Sequence, residues 1–106
     1  VIYQPHLYSR TQQFADQFAE VLAVADHCIL TDIYPAREEP IEGVTSEMIK
    51  TIAKRRGFGD YDYVGVKENA VARIKEMARP GDLIITMGAG SITHIKQMIL
   101  EALDKK

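Results

Sequence analysis

The sequence contains one cysteine, no tryptophan and no long apolar segment. Cys28 cannot form an internal disulfide and lacks the paired cysteine or histidine spacing of a metal site, so we expect a buried, reduced thiol. Apolar runs such as residues 83–85 fall far short of the roughly 20 residues needed to cross a bilayer. The first residues do not follow the pattern of a signal peptide, and we therefore expect a cytoplasmic location.

An excess of positive charge is also missing. Lysine and arginine number 13 against 15 aspartates and glutamates, which leaves a net charge of −2 and gives no electrostatic basis for binding nucleic acid.

The phosphate-loop motif G-x-x-x-x-G-K-[ST] does not occur, so the chain cannot bind ATP by itself through the usual strand-loop-helix motif. Asp32 stands where a dinucleotide fold places its ribose-binding acid, but the first strand-to-helix turn contains no glycine, which argues against NAD.

Four apolar runs alternate with four amphipathic helical patterns, which is typical of βαβ units on a parallel sheet. The runs are Val1–Tyr3, His27–Ile33, Tyr61–Val66 and Asp82–Met87. The length of 106 residues suits one domain. We predict an α/β domain with a Rossmann-like, doubly wound, mainly parallel sheet and helices on both faces.

The spacing of apolar residues predicts which side of each helix is buried. In the first helix, one predicted face carries Phe14, Phe18, Val21, Leu22 and Ala25. The predicted apolar face of the third helix carries Ala70, Val71, Ile74 and Met77. That of the fourth helix carries Ile92, Ile95, Ile99, Ala102 and Leu103.

The second helix has recognisable end signals. Thr45 or Ser46 is its predicted N-cap, and Gly57 should end it. Residues 54–56 are three consecutive cations at its C-terminal end. They complement the helix dipole, and a patch that binds nucleic acid or phosphate is the alternative interpretation.

In a parallel sheet, the loops 4–11, 32–39 and 88–91 converge at one edge. The loop Gly88–Ser91 combines two glycines with a hydroxyl residue at a helix start, so its backbone N–H groups can face an anion, or Ser91 can simply cap the helix. The loops together supply His6, Tyr8, Ser9, Arg10, Asp32, Tyr34, Arg37 and Ser91.

Two of these side chains have both a functional and a structural interpretation. Arg10 can grip a carboxylate with its planar guanidinium, or it can be a solvated surface side chain, or form a structural ion pair with Asp32 or Glu38. His6 can act as an acid, a base or a hydrogen-bond donor, or it can be purely structural.

Four segments resemble the C-terminal domain of the Mur ligase family, in the branch that adds L-alanine. They are Gln4–Thr11, Asp32–Ile41, Gly43–Ser46 and Gly88–Ile92, and they occur in the expected order over essentially the whole chain. The resemblance implies that residues 1–106 are one domain of a larger three-domain ligase of peptidoglycan biosynthesis. An N-terminal domain would bind the UDP-sugar, a central domain would hold ATP and Mg²⁺, and this domain would close over the site.

In that enzyme, ATP would phosphorylate the carboxylate of UDP-N-acetylmuramate, and the amine of L-alanine would attack the acyl phosphate. The resemblance makes Arg10 the ligand of the alanine carboxylate and places His6 near the reacting centre. It implies no metal ligand in this chain, and the isolated domain would be inactive. The substrate-binding residues that it implies are His6, Tyr8, Ser9, Arg10, Asp32, Gly88, Ala89, Gly90 and Ser91.

The chain departs from the family pattern at two positions. Leu7 stands where many members have arginine, and Ser91 stands where many have aspartate. The first change removes one cation beside the expected carboxylate site, and the second removes a negative charge. An alternative function is a stand-alone regulatory module that binds an amino acid or another small anion at the same edge.

Overall fold

The computed structural model describes residues 1–88, 92 and 94–104. Its strands are β1 (Ile2–Gln4), β2 (Ile29–Thr31), β3 (Asp62–Gly65) and β4 (Thr86–Gly88). Its helices are α1 (Tyr8–Leu22), α2 (Glu47–Arg55), α3 (Glu68–Met77) and α4 (Ile95–Asp104). The predicted alternation of strands and helices is confirmed.

The four strands form one parallel sheet in the order β3-β2-β1-β4. Ile2 of β1 stands opposite Ile29 of β2 on one side and Thr86 of β4 on the other. Because all the strands run in one direction, the residues that follow them lie at a single edge of the sheet.

The sheet is covered on both faces, which confirms the doubly wound architecture. One apolar core lies between the sheet and α1 and α2, and includes Ala19, Leu30 and Ile49, all fully buried. The other lies against α3 and α4 and contains Ile2, Ile29, Ala70, Ile74, Ile92, Ile95 and Ile99. The predicted apolar faces of α3 and α4 are therefore the faces that pack.

The predicted packing face of α1 was wrong at two residues. Phe14 is 37% exposed and Val21 is 63% exposed. Phe18 is partly buried against the core, and Leu22 is buried, as predicted. The residues that α1 buries are Thr11, Ala15, Ala19 and Leu22. Phe14 has non-helical dihedral angles that kink the helix, and small residues on the neighbouring stripe allow close packing, which apolar spacing alone does not reveal.

The second, third and fourth strands are shorter than predicted. Residues 82–85 lie outside β4, and Leu83 is 81% exposed. β4 pairs with β1 from Thr86, opposite Ile2, to Gly88, opposite Gln4. Just before β4, the Ile85 carbonyl accepts a bond from the Ile2 N–H at 2.8 Å. An apolar run predicts a strand by composition, whereas a strand also needs a paired neighbour, which no local pattern reveals.

The start of α2 is tied to the end of β2. The Thr45 hydroxyl oxygen accepts a bond from the Glu47 N–H at 3.2 Å, as expected of a capping residue. The Ser46 hydroxyl instead donates to the carbonyl of Thr31, and Ser46 is buried. A side chain considered only as a cap therefore anchors the helix on the sheet.

Cys28 is 3% exposed, as expected, and burial raises the pKa of its thiol to about 12. Because the thiolate is the reactive form, we expect a thiol reagent at pH 8 to label the folded chain at least about 100-fold more slowly than the chain in urea. Following the release of thionitrobenzoate measures both rates. Equal rates would contradict the burial of this thiol.

Candidate functional site

The loops that follow β1 and β2 are joined by backbone hydrogen bonds. The Tyr34 N–H donates to the carbonyl of Pro5 at 2.8 Å, and the Leu7 N–H donates to the carbonyl of Tyr34 at 2.9 Å. The His6 ring stacks on Tyr34 with 5.9 Å between centroids and 18° between ring planes. His6 is thus held, half-buried, at the predicted edge of the sheet.

Leu7 marks the change from extended chain to helix. Its φ of 68° is unusual for a residue with a side chain and costs on the order of 1–3 kcal/mol. Its carbonyl accepts two bonds from Thr11, from the N–H at 3.1 Å and from the hydroxyl at 2.9 Å. These bonds close the first turn of α1, which carries Tyr8, half-buried, and Arg10, exposed.

Glu38 bonds twice to the N-terminal turn of α1. The Ser9 N–H donates to Oε1 of Glu38 at 3.1 Å, and the Ser9 hydroxyl donates to Oε2. The two bonds from Ser9 lower the pKa of Glu38, with the hydroxyl contributing most. The sequence suggested Glu38 only as an ion-pair partner for Arg10, so this helix contact was missed.

Arg10 forms no ion pair with any residue that the structure describes. The two carboxylates suggested as its partners are bonded elsewhere: Glu38 accepts from Ser9, and Asp32 accepts from Tyr63. Among the described residues, nothing holds the exposed guanidinium, which can therefore meet a ligand at the edge of the sheet.

Asp32 follows β2 and is exposed, and its N–H donates to the carbonyl of Gly65 at 2.7 Å. The Tyr63 hydroxyl donates to its carboxylate, and this bond is the main reason that the pKa of Tyr63 rises to about 12. Tyr63 lies on β3, the strand beside β2. No local sequence pattern links the two residues, because their contact depends on strand order.

Gly88 ends β4 opposite Gln4 of β1. Its φ is 146°, and a Cβ built there would lie 2.7 Å from the Gln4 carbonyl oxygen. Gln4 is 7% exposed, and its buried Oε1 accepts no hydrogen bond from the described residues. The other predicted members of this loop, Ala89, Gly90 and Ser91, lie outside the residues that the structure describes.

The cations at the end of α2 do not join this edge. In Arg56, Nη1 lies 3.6 Å from Oδ1 of Asp16 and Nη2 lies 3.5 Å from Oε2 of Glu20. The Cζ atom of the same guanidinium lies 4.7 Å from the centroid of the Phe58 ring. Arg56 therefore connects α2 to α1.

A shallow depression of about 550 Å³ is lined by Glu47, Lys50, Thr51, Lys54 and Arg55, none of which belongs to the three loops.

Within residues 1–88, 92 and 94–104, no group of three or more histidine, cysteine, aspartate or glutamate side chains is placed to hold a metal ion. None of the helices over the same residues is long and apolar enough to span a membrane.

Comparison with known proteins identifies the family. Residues 3–90 match the family model described as Mur ligase, glutamate ligase domain. The UDP-N-acetylmuramate--L-alanine ligase of Streptomyces avermitilis is 47% identical over 106 residues, which are 100% of this chain and 23% of that protein. The ligases of the same name from Cutibacterium acnes and Geotalea uraniireducens are 45% and 41% identical, over 98% and 97% of this chain and 22% of each relative.

The chain spans less than a quarter of the length of these relatives. The family match covers most of its 106 residues, from β1 to the end of β4. The chain therefore belongs to the Mur ligase family.

Proposed function

We propose that this chain is the C-terminal domain of a ligase that joins L-alanine to UDP-N-acetylmuramate in peptidoglycan biosynthesis. The observation that carries the proposal is 47% identity, over the whole chain, to a UDP-N-acetylmuramate--L-alanine ligase. The position of Arg10 and His6 at the carboxyl edge of the sheet supports it, since ligands of open α/β sheets bind there.

In this proposal the domain binds the amino acid. The Arg10 guanidinium donates two parallel bonds to the alanine carboxylate, a geometry that its planar fork favours. Tyr8 and Ser9 stand beside it on the first turn of α1, and His6 stands just before that turn. Asp32 and the loop from Gly88 complete the proposed pocket, in which the alanine amine is aimed at the acyl phosphate and water is excluded.

In the proposal, ATP and Mg²⁺ are held outside this chain, because its sequence contains no phosphate loop. We assign the nucleotide and the metal to a central ATPase domain, and the UDP-sugar to an N-terminal domain, of the same cytoplasmic polypeptide. No chemical step through either group is assigned to this chain, and residues 1–106 alone are expected to be inactive.

The test is a turnover assay on the complete polypeptide that carries this domain. We expect ADP release to require both UDP-N-acetylmuramate and L-alanine, and the product mass to equal that of the two substrates joined with loss of water. Residues 1–106 alone are the control and should release no ADP. ADP release that ignores L-alanine, or tight binding of alanine to the isolated domain without turnover in the full protein, would overturn the proposal.

A further inference from the structure

We propose that Glu38 is a positioning residue, which orients the first turn of α1 so that Arg10 and His6 keep one arrangement toward the bound amino acid. This inference rests on the proposed function, because it assigns to Glu38 an effect on alanine that passes through Arg10.

The contact joins two separate loops. Glu38 lies 29 residues from Ser9 in the chain, at the end of a turn closed by its own N–H, which donates to the Pro35 carbonyl at 2.9 Å. Both of its carboxylate oxygens are used on Ser9, one by the backbone N–H and one by the hydroxyl. Ser9 directly precedes Arg10, so the bond acts on the backbone next to the proposed carboxylate ligand.

Glu38 attaches the first turn of α1 at a point where the other contacts do not act. The backbone bonds between Tyr34 and the segment Pro5–Leu7 hold the base of the two loops. The packing of Ala15, Ala19 and Leu22 holds α1 beyond its kink at Phe14. The bonds from Ser9 to Glu38 act on the first turn itself, before that kink. Since the guanidinium must meet the carboxylate within a narrow range of angles, this attachment bears directly on alanine binding.

The charges are arranged so that Glu38 does not compete with the carboxylate of the bound amino acid for Arg10. The bonds from Ser9 keep the pKa of Glu38 low, so it is ionised at neutral pH and lies at the positive end of the α1 dipole. Arg10 pairs with no carboxylate among the described residues. Glu38 is thereby bonded to the helix, and the arginine charge stays available to the substrate.

The experiment uses the complete polypeptide and compares Glu38→Ala with Glu39→Ala. Glu39 is the adjacent glutamate, is exposed and forms no hydrogen bond or ion pair with the described residues. We expect Glu38→Ala to raise the KM for L-alanine on the order of tenfold, with the KM for ATP within about twofold of the wild type. Glu39→Ala should leave both constants unchanged.

Double variants distinguish positioning from general support of the fold. If Glu38 acts through Arg10, then Glu38→Ala should lower kcat/KM for alanine much less in an Arg10→Ala background than in the wild type. Glu38→Gln keeps an acceptor for the Ser9 N–H but loses the charge, and should have an intermediate effect. It also decides the question if Glu38→Ala does not fold.

The outcomes separate the two proposals. An unchanged alanine KM in Arg10→Ala would overturn the proposed role of Arg10 itself. A raised KM in Arg10→Ala together with an unchanged KM in Glu38→Ala and Glu38→Gln would overturn only the positioning role. Fully additive losses in the double variant would likewise overturn it, because they would show that Glu38 does not act through Arg10.

Discussion

Replacing Arg10 by alanine in the complete ligase is expected to lower kcat/KM for L-alanine roughly 10- to 150-fold, since a hydrogen bond to a charged group contributes about 1.5–3 kcal/mol. The loss should be seen in both KM and kcat, because the same bond holds the substrate and directs its amine. The KM for ATP should change little. Steady-state kinetics with L-alanine as the varied substrate measures the effect.

A stability measurement must accompany those kinetics. Arg10 is exposed and unpaired among the described residues, so Arg10→Ala should leave the melting temperature nearly unchanged. Arg79→Ala is a suitable control, because Arg79 is also exposed and lies outside the three loops. A lower melting temperature with normal alanine kinetics would show that Arg10 supports the fold and does not bind the substrate.

Replacing Gly88 by alanine is expected to destabilise the domain by about 3 kcal/mol, from backbone strain together with a steric clash. The φ of 146° is unfavourable for any residue with a Cβ, and the new methyl would lie 2.7 Å from the Gln4 carbonyl oxygen. Either β1 or β4 must move, although the two strands are directly paired. Urea denaturation of residues 1–106 measures the change.

Gly57→Ala is the matched control for this substitution. Gly57 also has a positive φ, of 79°, but nothing lies within 4 Å of a Cβ built there. Its replacement should therefore cost only about 1 kcal/mol of backbone strain. Equal losses in the two variants would contradict the close approach of β4 to β1 at Gly88.

Several parts of the fold were predictable because they depend on local patterns. The alternation of apolar runs and amphipathic helices indicated the parallel sheet with helices on both faces, and the apolar spacing within α3 and α4 identified the sides that pack. Gly57 correctly indicated the end of α2, since a positive φ suits glycine there. The buried state of Cys28 followed from its position in an apolar run.

The candidate site could be predicted only in outline. The parallel order of strands implied that His6 and Asp32 share an edge, and the structure places both after the ends of neighbouring strands. The bonds that orient them were not predictable: Glu38 meets Ser9, and Tyr63 meets Asp32, across about 30 residues of chain. Which acidic group binds which hydroxyl depends on how two loops approach each other.

By itself, the sequence determined the class of fold, the positions of the helices and the kinds of side chain gathered at one edge, because periodicity and end signals act over a few residues. Only the tertiary structure decided that α1 buries Ala15 and Ala19 while Phe14 stays exposed, and that Asp32 accepts a bond from Tyr63. Both depend on neighbours: a helix face is selected by the surface against which it packs, and a hydrogen-bond partner is selected by which strands lie side by side.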